Sequence, residues 1–158
     1  MNTRFRCIPM DASAAARFRA THRDDRGGTV HVRTVDGPGF PCRACLRLGR
    51  PGEAMLLASW DLPLPQGPYW TPSPVFLHAQ ECASAPVEDA LPETVTANSI
   101  VSLRHYDADG MCLYDLGVVV PGDEAEAALR ARIDDPRVAY VNIHTARPGC
   151  WLTRVERA

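Results

Sequence analysis

The chain contains no lysine; all 17 of its basic residues are arginine. There is therefore no side-chain amine to form a Schiff base with a carbonyl substrate or with pyridoxal phosphate. A Walker-type phosphate loop lacks its lysine, and no G-x-x-x-x-G-K run occurs. The G-x-S-x-G elbow, the H-E-x-x-H helix and the G-x-G-x-x-G fingerprint are also missing. Charge of one sign is scarce: the net charge is −2 and no basic stripe stands out, so no nucleic-acid partner is expected. The nearest approach is Arg43, Arg47 and Arg50, which read as solvated loop arginines rather than a phosphate clamp. Long apolar runs are absent as well. Nothing approaches the roughly 18 apolar residues of a membrane span, and residues 1–10 lack the apolar stretch of a secretory signal. The expectation is a cytoplasmic protein with no membrane partner. Its six cysteines are then read as thiols or metal ligands, not as a disulfide framework.

What is present suits a globular fold. The 158 residues, 46% hydrophobic and 23% charged, suffice for one domain (1–158) with its own core. Residues 3–9 read as a strand, and Asp11 as the cap of a helix reaching about residue 20. Residues 29–35 and 53–60 read as strands. From Asp61 to Pro74 five prolines break any hydrogen-bond ladder, so this segment reads as a stiff surface loop carrying Tyr69 and Trp70. Such a loop is either functional or a cover over a sheet edge.

Residues 75–78 form a short strand, and residues 83–97, with Pro86 and Pro92, a loop with a helical turn. Residues 99–106 and 111–120 make a hairpin around Asp107-Ala108-Asp109-Gly110. A four-residue loop there places His105 opposite Cys112, and a two-residue turn places it opposite Tyr114; both registers stay open. Residues 123–133 carry the clearest helix pattern. Asp123 and Glu126 have capping-box spacing, and Ala125, Leu129 and Ile133 form one stripe. Residues 138–145 and 150–157 close the chain as a hairpin. The sum is an α+β fold, a mostly antiparallel sheet of about seven strands with two main helices.

Four segments carry a resemblance, in order along the chain. They are Gly39-Phe40-Pro41-Cys42-Arg43-Ala44-Cys45-Leu46 with Pro51-Gly52-Glu53, then Pro74-Val75-Phe76-Leu77-His78-Ala79 with Cys82. Next come Leu103-Arg104-His105-Tyr106-Asp107-Ala108-Asp109-Gly110, and Asn142 through Ala146-Arg147-Pro148-Gly149-Cys150. Together they resemble the bacterial domain-of-unknown-function 1203 family. The resemblance implies a single domain of about this length and carries over no catalytic residue.

Three chemistries suit the polar residues. Cys42 and Cys45, in C-x-x-C spacing, with His78 and Cys82 make a three-thiolate, one-imidazole set suited to tetrahedral zinc, in a structural role. The same cysteines also read as small packed loop residues with His78 ending a strand. Alternatively, C-x-x-C forms a reversible disulfide, although the βαβ context of thioredoxin-like motifs is missing. The third chemistry is a ligand pocket. Arg104, His105, Tyr106 and Asp107 on one hairpin and His144 and Arg147 on the next combine anion-binding guanidiniums with groups that titrate near neutrality. The leading functional expectation is a small-molecule-binding domain, with catalysis left open, using an Arg/His/Cys pocket. The alternative is a protein-interaction domain stabilised by a Cys/His zinc site. A homo-oligomer formed through a sheet edge is a third kind of partnership.

Overall fold

The structure, a computed structural model, describes residues 3–158; Met1 and Asn2, at the head of the segment lacking a secretory pattern, lie outside it. Its elements in order are β1 (Phe5–Ile8), α1 (Ala12–Thr21), β2 (His31–Thr34), β3 (Ala54–Asp61), β4 (Pro72–His78) and β5 (Val87–Glu88). Then come α2 (Glu93–Thr96), β6 (Val101–Tyr106), β7 (Val118–Val120), α3 (Ala125–Arg130), β8 (Tyr140–Thr145) and β9 (Trp151–Arg157). The described strands form two sheets, one of six strands ordered β5-β1-β9-β8-β6-β7 and one of three ordered β2-β3-β4. Every pairing between these strands is antiparallel, so the expected α+β architecture holds.

Alternation along the strands sets two cores. On one face of the large sheet Val101, Leu103, Val141, Ile143 and Val155 meet Leu129 and Ile133 from the α3 region. On the other side Trp151 joins Met55, Leu56, Trp60 and Leu77 of the small sheet and Phe18 of α1. Each fully buried side chain of this size contributes about 1.5–3 kcal/mol. Helix α1 starts as its sequence implies, with the Asp11 carboxylate accepting from the Ala14 amide at 3.2 Å.

Four local expectations are corrected. Strand β7 covers only Val118–Val120; ahead of it Tyr114–Leu116 makes a single 3-10 turn. The hairpin after β6 has neither expected register. Tyr106 pairs with Cys112, and the Asp107 amide donates to the Met111 carbonyl at 3.0 Å. Three residues close the loop, with Gly110 at φ +78°, a conformation that suits glycine. The Asp107 carboxylate fills the turn by accepting from the Asp109 and Met111 amides, both at 2.9 Å.

The helix expected over 123–133 is a 3-10 turn at Gly122–Glu124 followed by α3, and the capping box does not form. Glu126 instead accepts from the Leu91 amide at 3.3 Å and from Arg130. The apolar stripe nonetheless lands as the spacing implies, with Ala125, Leu129 and Ile133 buried. Finally, Pro72 and Pro74 belong to β4 rather than to a loop. β4 is the outer strand of its sheet, so the missing amides cost no internal ladder bond. The rest of the proline-rich segment lies over the large sheet, where Arg154 donates to the Leu64 and Pro63 carbonyls at 2.8 and 3.2 Å.

Candidate metal centre

The C-x-x-C segment folds as a tight turn. Pro41 pairs with Leu48, the Cys42 amide donates to the Arg47 carbonyl, and the Leu46 amide donates back to Cys42, each bond at 2.9 Å. Leu46 takes φ +59° to close it. β4 then fixes the turn, because the Arg43 amide donates to the Phe76 carbonyl at 2.8 Å. This docking brings the end of β4 and the loop beyond it against both cysteines. The result is one cluster: Cys42, Cys45, His78 and Cys82 each offer a ligand atom, and all four atoms lie within 4.8 Å of one another.

Two of the spacings lie near the edge lengths of a zinc tetrahedron. Cys42 Sγ lies 3.9 Å from Cys82 Sγ, and Cys45 Sγ lies 3.4 Å from His78 Nδ1. Zinc bonds of about 2.3 Å to sulfur and about 2.0 Å to nitrogen give tetrahedral edges of roughly 3.5–3.8 Å. Cys42 is fully buried, and the other three ligands are partly accessible. Cys45, His78 and Cys82 also line an open groove of about 690 Å³, which gives an ion a path in.

The surroundings favour thiolates and a defined imidazole. The Cys42 thiol is pushed strongly down, first by hydrogen bonds from the Cys45 and Cys82 thiols and then by the Cys45 and His78 amides. Cys45 is pushed strongly up, chiefly because its thiol donates to Cys42. Cys82 is raised for the same reason, against the pull of Arg19. Hydrogen bonding among the three sulfurs thus favours the thiolate form at Cys42, and a bound cation would displace protons from the other two. Glu53 Oε2 lies 3.1 Å from His78 Nε2, so Nε2–H donates and Nδ1 presents its lone pair to the sulfurs. Arg19 donates through Nη2 to Cys82 Sγ at 3.2 Å and through Nε to the His78 carbonyl at 3.0 Å, holding a positive charge beside the thiolates. The motif sits in a turn tied to a strand end, so the thioredoxin arrangement is absent here too.

Neither Glu53 nor Arg19 was singled out from the sequence. Glu53 had one local signal, because its carboxylate closes the Pro51-Gly52 turn by accepting from the Arg50 amide at 2.7 Å. Arg19 had none: only the packing of α1 brings it near β4. Arg43 is a correction. Expected as a solvated loop arginine, it is 3% exposed, with Nε donating to the Trp151 carbonyl at 2.7 Å and Nη1 to the Pro41 carbonyl at 2.9 Å.

The expected ligand-binding residues are distributed over several surroundings. Arg104 and His144 share the face of the large sheet that carries Trp151. Tyr106 lies further along it, stacked on Tyr140 with ring centroids 5.0 Å apart. His105 points the other way, into the core beside Leu103, and Asp107 is engaged in the turn described above. Arg147, exposed at the β8–β9 turn, lines a separate cavity.

His144 is 2% exposed; its Nδ1 lies 2.9 Å from the Gly149 carbonyl and its Nε2 has no partner. Burial first, then the nearby Arg104 charge, drops its pKa to about 4. The unfolded chain, near 6.5, binds the proton more readily, so this contribution to stability is complete above about pH 6.5 and fades as pH falls towards 4. Between pH 7 and pH 5 the loss comes to about 2 kcal/mol. Urea midpoints of a His144→Gln variant should fall less over that interval than those of the wild type, and an unchanged pH slope would contradict the assignment.

The family described as "Protein of unknown function (DUF1203)" matches residues 39–157. The chain belongs to this family. The match takes in all four cluster residues and most of both cores, whereas β1, α1 and β2, with core residues such as Phe5 and Phe18, precede it. No curated protein and no solved structure matches the chain. Among the described residues, no helix is long and apolar enough to cross a membrane.

Proposed function

We propose that this family member is a zinc-binding domain in which Cys42, Cys45, His78 and Cys82 hold one ion in a closed, structural site. The observation that carries the reading is the convergence of the four ligand atoms within 4.8 Å, from a turn, a strand end and a loop. Three thiolates and one imidazole fill a tetrahedral shell and leave no position for water or substrate, which separates structural from catalytic zinc sites. The soft sulfur set favours zinc over magnesium or calcium, which take oxygen ligands. Glu53 and Arg19 supply the outer contacts that metal-bound histidine and thiolate ordinarily have. In this reading the ion ties the C-x-x-C turn to β4 and so holds the junction between the sheets.

The test is elemental analysis of protein purified without chelator, followed by cobalt substitution. About one zinc per chain is expected, and the cobalt form should show the intense visible bands of a tetrahedral thiolate site. Metal-free protein, with thiols equally reactive before and after chelator treatment, would remove the reading. Of the six residues expected to form a ligand pocket, Arg147 alone lines the separate cavity at the β8–β9 turn, and none of the four metal ligands lines it.

A further inference from the structure

A cavity of about 300 Å³ lies between the two sheets, away from the four metal-ligand side chains. Leu57 of β3 and Pro74 and Phe76 of β4 form one wall. The opposite side is residues 98–100, ahead of β6, and the β8–β9 turn with Thr145, Arg147, Pro148 and Cys150. Pro41 and Arg43 of the C-x-x-C turn close its inner end. The lining includes two arginines and no aspartate or glutamate.

Arg43 makes this more than a hydrophobic cleft. Its side chain is almost wholly buried, yet no carboxylate within ion-pair distance of it is found among the described residues. Its Nε and Nη1 are spent on the Trp151 and Pro41 carbonyls, which fix the guanidinium plane. Nη2 has no protein acceptor among the described residues, although the group lines the cavity. A buried guanidinium with one nitrogen left unpaired is costly, and an anion accepting from Nη2 in the cavity would remove that cost. Arg147, at the rim, likewise pairs with no carboxylate among the described residues and is steadied by a hydrogen bond to Ser99 Oγ at 3.4 Å.

We infer that this cavity is a binding site for a small organic acid, whose carboxylate meets Arg43 Nη2 and Arg147 and whose apolar body lies against Leu57, Pro74 and Phe76. The apolar walls favour a carboxylate on a hydrocarbon or aromatic frame over a bare, strongly hydrated anion. One free nitrogen on Arg43 and one exposed arginine at the rim match a head group of a single negative charge. Ser99, whose hydroxyl accepts from Arg147, can donate its O–H to a further polar atom on the ligand. None of the four metal ligands lines the site.

The test is an amide-resolved NMR titration of the full chain with benzoate, its neutral isostere benzamide, and inorganic phosphate. Benzoate is expected to shift the amides of Arg43, Ser99, Ile100 and Arg147 saturably, with Kd on the order of 1 mM for a ligand of this size. Benzamide should bind about tenfold more weakly, since the charge-assisted hydrogen bonds are lost. Arg147→Ala, at an exposed position, should weaken benzoate about fivefold or more while leaving the thermal midpoint unchanged. Arg43→Lys, which keeps the charge and loses the fork, should weaken it further. Arg147→Ala carries the test even where the Arg43 variant fails to fold. Equal affinity for benzoate and benzamide, no saturation at about tenfold above that Kd, or full binding by Arg147→Ala would overturn the inference. So would phosphate binding more tightly than benzoate.

Discussion

If the Cys42, Cys45, His78 and Cys82 cluster holds zinc as proposed, removing the ion is expected to lower the thermal midpoint by roughly 10 °C or more. The expectation follows from where the ligands sit. Cys42 is fully buried and lies against Phe76, and Arg43, the next residue, reaches the Trp151 carbonyl of the large sheet. Loosening the turn therefore loosens the contact between sheets. Structural zinc in isolated modules contributes about 10–16 kcal/mol of apparent binding energy, and only part of it is needed for stability in a chain that already has two cores. A loss of about 4 kcal/mol or more corresponds to a shift of that order for a chain of this length.

Cys42→Ser should reproduce the shift and make the protein insensitive to chelator. Cys150→Ser, outside the cluster, should leave both midpoint and chelator response close to those of the wild type. Calorimetry with and without chelator distinguishes this from simple packing of thiols. In that case chelator has no effect and Cys42→Ser costs only about 1–3 kcal/mol for burying a hydroxyl.

Trp151→Ala should destabilise the chain by about 3–5 kcal/mol. Trp151 is fully buried and leans on Trp60 across the sheets, with ring centroids 5.0 Å apart. Its indole N–H donates to Asn142 Oδ1 at 3.2 Å, its amide donates to Ser73 Oγ at 2.9 Å, and its carbonyl receives the Arg43 guanidinium. Truncation leaves a void between the sheets and a buried Asn142 oxygen without its donor, and both penalties add. Trp151→Phe keeps most of the apolar volume and should cost about 1–2 kcal/mol, mainly the lost indole bond. Urea midpoints measure both changes. A cost for Trp151→Ala below about 1 kcal/mol would mean that the two sheets hold together without this side chain.

Local features were legible because neighbouring residues decide them. The Asp11 cap, the β8–β9 hairpin, and the Ala125, Leu129 and Ile133 stripe all follow from short-range periodicity or turn chemistry. The hairpin at Asp107–Gly110 was announced by its composition, yet its register was not, since two-, three- and four-residue loops all suit Asp and Gly. The capping box at Asp123 failed because Glu126 found the Leu91 amide and Arg130, partners distant or helical that spacing alone does not weigh.

The sequence by itself determined the residue types of the metal cluster, the antiparallel α+β character and the exclusion of lysine chemistry. C-x-x-C spacing puts two thiols in reach of one another through a single tight turn, and His78 and Cys82 are likewise close along the chain. Tertiary structure alone decided that these two pairs meet, and that Glu53 and Arg19 stand behind them. It also decided that Arg43 is buried without a carboxylate partner, and that His105 and Arg104, adjacent in sequence, face opposite sides of one sheet. The physical reason is common to all of these. A strand turns successive side chains to opposite faces, so neighbours in sequence separate. Residues distant in sequence meet only where pairing of whole strands and burial of apolar faces bring their segments together, and no local spacing encodes that convergence.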